Sequence, residues 1–300
     1  MSDAIEIMRA ALLRTFPHWD PASVTLEPLR GGITNWNAII SVSSLAPQRF
    51  VARLPGERTE LLGIDRANEV EATQRATALG IAPAVLAELD GIGTLVTEFV
   101  AGTHLEPAEF VGRLDEVVGL ISRFHSSGSL AGAFPIHRVV EWHARDAVAH
   151  GATLPAAYPE LLELSLRIEA EFAATPDAPV SCHNDLLPGN VLFGHDRTWL
   201  LDFEYAGMND RYFDLANLSV NCAFDVDVDE RLLTLYFGNA TEHHRRRLTL
   251  MKVMSEFREG MWAVVQQVIS TLETDFVTYA DERLANALLL SASCFGNNRA

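Results

Sequence analysis

Cysteine is scarce: Cys182, Cys222 and Cys294 are the three in 300 residues, and no two stand in a CxxC spacing. An odd count without paired spacing suggests neither a disulfide framework nor a zinc site. Free thiols in a reducing compartment fit it best. Basic charge is also in deficit, with 23 Lys and Arg against 40 Asp and Glu and a net charge of −17. Such a surface repels nucleic acid and anionic membranes at long range and mildly favours cationic ligands, although solubility alone also accounts for it. No apolar run approaches the roughly 18 residues that span a membrane. The opening "MSDAIEIMRA" lacks the basic stretch of a signal peptide. The expectation is a cytoplasmic protein with no membrane insertion and no nucleic-acid partner. What is present, 48% hydrophobic and 21% charged residues, is an ordinary globular composition. Three hundred residues suffice for one large domain or two lobes with a sizeable core.

Residues 4–15 carry apolar side chains at helical spacing. "SVTLEPL", "WNAIISVS" and "RFVARL" then read as an antiparallel meander, each short, rich in β-branched or aromatic residues and bounded by Gly, Pro or Ser. "DRANEVEATQRATALG" is a helix opened by Asp65 and stopped by Gly80. Two more strands flank "DGIG". From about residue 105 the pattern turns helical, with amphipathic stretches at 107–128, 139–150, 159–175, 229–238, 242–271 and 275–295. The basic run at 243–247 reads as a solvated helix face. The class is therefore α+β: residues 1–100 form a β-rich lobe with one main helix, and 101–300 a larger, mainly helical lobe beyond a linker near "TEFVAGTHL".

The helical half is interrupted by "SCHNDLLPGNVLFGHDRTWLLDFEYAG", residues 181–207. Phosphoryl transfer needs charge neutralisation, positioning, and a carboxylate that takes the hydroxyl proton. Magnesium takes carboxylate and amide oxygens. The kinase pattern H-R-D-x-x-x-x-N followed by D-F-G supplies these groups. Here His183-Asn184-Asp185 precedes Asn190 at the same offset, and Asp202-Phe203-Glu204 follows. Asp185 is the candidate base, and Asn190 and Asp202 are the candidate Mg2+ ligands. "NVLF" and "TWLLDF" would form a hairpin presenting both ligands. Any one of these residues alone would read as a turn or a cap; both offsets and the intervening apolar strands together point to chemistry. His183 reads as structural, orienting the loop through a backbone hydrogen bond.

The nucleotide side is expected upstream. Gly31 and Gly32 permit close backbone approach to phosphates, although a hairpin turn uses the same residues. Arg53 stands where a kinase places its phosphate-pairing Lys, and Glu69 on the next helix is its candidate partner. Backbone groups from Glu98 to Val100 would hold the adenine of ATP.

"GGITN", "FVARLPG", "DRANE", "HNDLLPGN", "LLDFEYAGMNDRYFDLAN" and "EFREGMWAVVQQ" resemble the choline and ethanolamine kinase family, within the wider aminoglycoside-phosphotransferase-like group, over nearly the whole chain. The resemblance implies a two-lobed protein-kinase-like fold and ATP- and Mg2+-dependent transfer. It adds Thr34 and Asn35 to the ATP residues and Glu204 to the metal site. It accounts for Arg, rather than Lys, at position 53. It implies that Asp214 and Asn217 brace the catalytic loop, with a helix cap as the alternative for Asp214.

Eleven residues separate Asp202 from Asp214, too few for a protein-docking activation segment, so a small-molecule hydroxyl is the expected acceptor. The resemblance places Trp262 and Tyr279 in an acceptor pocket for a cationic alcohol, choline first; by spacing alone both read as core aromatics. Glu259, a third acceptor-site candidate, stands at the first of two positions, three apart, where eukaryotic members carry Trp; it can attract a cation but cannot stack on it, and Asn221 falls where the family has a pocket carboxylate. Ethanolamine, thiamine and aminoglycosides therefore stay open as acceptors. So does a non-catalytic nucleotide-binding protein, which the joint presence of Asp185, Asn190 and Asp202 opposes. Monomer and homodimer are both compatible with the sequence.

Overall fold

The computed structural model describes residues 2–29, 35–45, 49–55, 58–89, 94–270 and 272–295. Helix α1 (Ser2–Thr15) buries Met8, Ala11 and Leu12, three positions on one helical face. They pack with Trp19 against a sheet built from β1 (Val24–Leu29), β2 (Asn35–Val42), β3 (Arg49–Pro55), β4 (Val85–Leu89) and β5 (Thr94–Glu98). The strand order is β1-β2-β3-β5-β4, antiparallel throughout. The meander thus runs through three strands. The chain then leaves the sheet through α2 (Arg66–Ala78), and β4 takes the outer edge beyond β5. Asp65 caps α2 by accepting from the N–H groups of Ala67 and Asn68, and Gly80, at φ +67°, turns the chain out of it. On β3 the period of two buries Phe50 and Ala52 and turns Arg53 to the opposite face.

The second half holds α3 (Pro107–Phe110), α4 (Leu114–His125), α5 (Ile136–Ala149), α6 (Tyr158–Ala174), α7 (Arg211–Asn221), α8 (Val226–Phe237), α9 (Glu242–Ile269) and α10 (Phe276–Phe295). The single helix expected at 107–128 is broken: residues 111–113 form a 3-10 turn, and Arg113 leaves helical dihedrals at φ −119°, ψ 15° before α4 begins. Helix α9 is buried on almost every side from Leu248 to Gln266, which makes it the central post of this half. Gly260 lets α10 approach it, since a Cβ there would stand 2.6 Å from Leu284 Cδ2. The basic run is a solvated face only in part: His243 and Arg245 are exposed, but the end of the run turns inward. Arg247 is buried, pairs with Asp177 at 3.0 Å and lies over the Phe172 ring at 4.0 Å, while Arg246 pairs with Glu171. A sequence window sees only the run of charge; the partners come from α6 and the loop after it.

The hydrophobic residues form two clusters, one between α1 and the sheet and a larger one around α9. The larger cluster reaches back to Leu62, Ile64, Ala72, Ala76, Ile81 and Ala82, so α2 packs on the helical half. Among the described residues no helix is long and apolar enough to cross a membrane.

Candidate active site

Four short strands scaffold the 181–207 stretch. β6 (Val180–Cys182) pairs with β9 (Gly207–Asn209), and β7 (Val191–Phe193) pairs with β8 (Thr198–Leu200) in the expected hairpin. Between β6 and β7 the loop is held from behind by Asp214. Its Oδ2 accepts the N–H of His183 at 2.8 Å and its Oδ1 the N–H of Asn184 at 2.7 Å. His125 Nε2 meets the same Oδ2 at 2.9 Å. Asp214 is therefore a brace inside α7 and not its cap; Asp210 is the cap, accepting from the Tyr212 N–H. Asn217 turns the other way and donates to Ser255 Oγ on α9. His183 donates Nε2–H to the Leu201 carbonyl at 2.8 Å, as its structural reading required, and packs on Phe203. Asn184 adopts φ +63°, a left-handed conformation that Asn tolerates. Its side chain is bonded to Tyr205 O and Asn209 Nδ2.

That backbone turn delivers Asp185. Asn190 donates through Nδ2 to Asp185 O at 2.8 Å and to its Oδ2 at 3.2 Å. The N–H of Leu201 meets the Asn190 carbonyl at 2.9 Å, which sets Asn190 beside the start of the Asp202 turn. Burial pushes the Asp185 carboxyl up to about 7; the charges of Glu259, Asp202 and Glu204 add to this, against the pull of Arg258. Asp202 sits at φ +64°, a strained backbone of the kind concentrated at functional sites.

Arg53 reaches Asp202 and Glu69 together, and approaches Glu204 at 3.7 Å. The pairing with Glu69 follows the kinase strand–helix pattern. Arg66 joins from α2, at 2.6 Å from Glu69 and 3.4 Å from Glu204, and binds Thr59 Oγ1. Two arginines and three carboxylates thus meet at the junction of the sheet and the helical half. The residue set suits Mg2+, a hard cation that takes oxygens. The Asn190 side chain uses only its Nδ2 in hydrogen bonds and Asp202 uses Oδ1, so Asn190 Oδ1 and Asp202 Oδ2 accept no hydrogen bond among the described residues. Glu204 lies within reach of both arginines. A separate buried group, His125, Cys182 and Asp214, is compact enough to share an ion. Both nitrogens of His125 and both oxygens of Asp214 are already engaged in hydrogen bonds there.

Gly31, Gly32 and Thr34 lie outside the described residues, as does the side chain of Asn35, whose backbone opens β2. Glu98 ends β5 opposite Phe50, three residues before Arg53 on β3. Its N–H binds Ala84 O and that of Phe99 binds Arg49 O, which leaves Val100 as the first residue of the linker.

Beyond Asp185, α9 and α10 bring Glu259, Trp262 and Tyr279 together. Tyr279 donates its hydroxyl to Glu259 Oε1 at 2.8 Å, and its ring meets Trp262 edge-on at 6.5 Å. Trp262 Nε1 donates to the Tyr205 hydroxyl at 3.1 Å. Sequence reasoning missed Arg258. Its Nη1 stands 2.8 Å from Glu259 Oε2 and 3.3 Å from Asp185 Oδ1, joining the base to this aromatic corner. The signal was there in "EFREGMW", where Arg258 and two glutamates interrupt a helix that is otherwise largely apolar and is buried almost all round. Arg66 was missed for a different reason: it adjoins the cap and reads as a helix-start surface residue. Asn221 lies at the end of α7 and binds the Asn217 carbonyl.

The pattern of the phosphotransferase enzyme family matches residues 25–248. Mouse and human ethanolamine kinase 2 are each 30% identical to the chain, over 293 and 295 residues, covering 88% of this chain and 75% of each relative. A choline/ethanolamine kinase family protein from Mesorhizobium loti superposes with a TM-score of 0.79 at 30% identity, covering 95% of this chain and 94% of that one. Choline kinase LicA from Streptococcus pneumoniae shares the fold at a TM-score of 0.79 and 22% identity, with 95% and 99% covered. The chain therefore belongs to the phosphotransferase enzyme family, and within it to the small-molecule kinases of the choline/ethanolamine kinase type.

Proposed function

We propose that the protein is an ATP- and Mg2+-dependent kinase for the hydroxyl of a small amino alcohol. One observation carries this: Asp185, backed by Asp214 and flanked by Asn190, shares a site with an Arg53–Glu69 pair that reaches Asp202. In the reaction the acceptor oxygen attacks the γ-phosphorus of ATP as Asp185 takes its proton; the bond to the β-phosphate oxygen breaks and ADP leaves. Mg2+ on Asn190 and Asp202, with Glu204 behind them, would neutralise the phosphate oxygens. Arg53, held by Glu69, turns its fork from Asp202 to the phosphates. Gly31, Gly32, Thr34 and Asn35 cradle the phosphates, and backbone groups from Glu98 to Val100 hold the adenine. The division at residue 100 is then one of chemistry, nucleotide before it and acceptor after it, although α2 packs with the helical half.

Ethanolamine-type acceptors are the first reading. The 30%-identical mouse and human relatives are named ethanolamine kinases. Glu259, buried between Tyr279 and Arg258, adds negative charge to the corner that an ammonium would approach. Choline is the second reading, favoured by the cluster of Trp262, Tyr279 and Tyr205, whose ring faces attract a quaternary cation. The test is acceptor-dependent ADP release with ethanolamine, choline, thiamine and an aminoglycoside. Asp185→Ala is expected to lower kcat by about 10²–10⁴-fold while calorimetry shows ATP affinity unchanged. ATP binding without turnover on any acceptor would instead make the chain a non-catalytic nucleotide binder.

A further inference from the structure

Two arginines already hold the groups that a bare ammonium would use. Arg258, 1% exposed, binds Glu259 and lies over the Tyr205 ring at 4.4 Å. Arg283 binds Glu256 at 3.3 Å and lies over the Tyr279 ring at 5.1 Å. The Tyr279 hydroxyl is engaged by the other oxygen of Glu259. Both carboxylates and two of the three ring systems of the corner are therefore in contact with the chain's own cations.

Arg258 nevertheless has donors to spare. Its Nη1 serves Asp185 and Glu259, whereas Nε and Nη2 are buried and meet no hydrogen-bond acceptor among the described residues. Unmatched donors on a buried charge are costly, and such groups are rare without a role. Nη2 is bonded to the same carbon as Nη1, which touches the base. An oxygen bound by that edge of the fork would sit beside the reacting hydroxyl. A planar guanidinium suits oxygen acceptors, neutral or anionic.

We infer that Arg258 is a specificity residue that receives a second oxygen of the acceptor. The acceptor class is then an amino alcohol carrying a second oxygen, hydroxyl or carboxylate, on a carbon one or two positions from the one that bears the reacting hydroxyl. This rests on the kinase reading above and narrows its substrate. The ammonium lies against the aromatic corner and the second oxygen binds Nε and Nη2.

The experiment compares kcat/KM of the full-length protein with ATP and Mg2+ for ethanolamine, choline, 3-amino-1,2-propanediol and serine. The expected result is a preference of at least about tenfold for the diol or for serine over ethanolamine, because a buried donor left unmatched by the smaller substrate penalises it. The diol and serine arms separate a neutral from an anionic oxygen. Arg258→Lys, which keeps the charge beside Asp185 and Glu259 but lacks Nε and the fork, should collapse that ratio mainly through KM of the oxygen-bearing acceptor. The ratio is internal to each protein, so a general loss of activity in the variant does not imitate the effect. Equal or better use of ethanolamine or choline by the unaltered protein overturns the inference and leaves the kinase reading standing. An unchanged ratio in Arg258→Lys also overturns it. Absence of turnover on all four, with ATP bound, sinks both.

Discussion

At Asp185 two demands on one carboxyl oppose each other. A base must be ionised, yet the site that excludes water around it disfavours the charge, and the folded-state pKa rises to about 7. In the unfolded chain an Asp titrates near about 3.9. Between those values the folded state binds more protons than the unfolded state, so stability falls as pH rises through this window, and the penalty is fully present above about 7. Asp185→Asn should therefore be more stable than the parent at pH 8, by about 1–3 kcal/mol at roughly 1.4 kcal/mol per pKa unit and with allowance for relaxation. At pH 4 the two should unfold alike. Urea denaturation at both pH values checks this; a gain at pH 4 equal to that at pH 8 would show that packing, and not charge, is the cause.

At the scale of elements, the catalytic loop depends on α7. Asp214 lies one turn into that helix and satisfies two successive buried N–H groups, so the direction of the turn at Asn184 is set by a residue thirty positions away. Asp214→Ala removes both acceptors and leaves each donor buried. At about 1–3 kcal/mol per unsatisfied group, a loss of about 2–6 kcal/mol is expected. kcat should fall with little change in ATP affinity. Asp214→Asn keeps one acceptor oxygen and should lie between the two. Thermal unfolding and steady-state kinetics on the pair separate the effects. An alanine variant as active as the parent would mean that β6 and β9 hold the loop without the brace.

Across the whole molecule, the two halves meet through charge as well as through the apolar packing of α2. Arg53, on the outward face of β3, reaches Asp202 on the hairpin of the helical half, while α2 supplies Glu69 and Arg66. Asn68 reinforces the junction by donating to Ala206 O and accepting from the Gly132 N–H. Glu69 is buried with two arginine partners, so removing either leaves it paired. Arg53→Met should cost about 1–3 kcal/mol, less than the 3–5 typical of an orphaned buried charge, because Arg66 remains and Arg53 is partly open to solvent. Its ATP affinity should drop at least about tenfold, consistent with loss of a charge-assisted fork. The double variant Arg53→Met/Arg66→Met should lose more stability than the sum of the singles, since only then does Glu69 stand unpaired. Additive losses in urea would show that Glu69 is less dependent on the pair than its burial implies.

The sequence by itself determined the strand and helix periods, the caps at Asp65 and Gly80, and the offsets linking Asp185, Asn190 and Asp202, because each depends on neighbours within a few residues or on one hairpin. Those local rules could also go astray. The 107–128 helix broke where Arg113 left helical dihedrals, and the basic run at 243–247 read as surface because Asp177 and Phe172, which bury Arg247, are distant in sequence. The edge position of β4, the brace from Asp214 and the places of Arg66 and Arg258 at the site were decided only by tertiary structure. Each rests on contacts between segments tens to hundreds of positions apart, such as Arg258 with Asp185 and Arg66 with Glu204. A buried ion pair leaves no local pattern, since the penalty for its charge is offset by a partner that the chain brings near only when it folds.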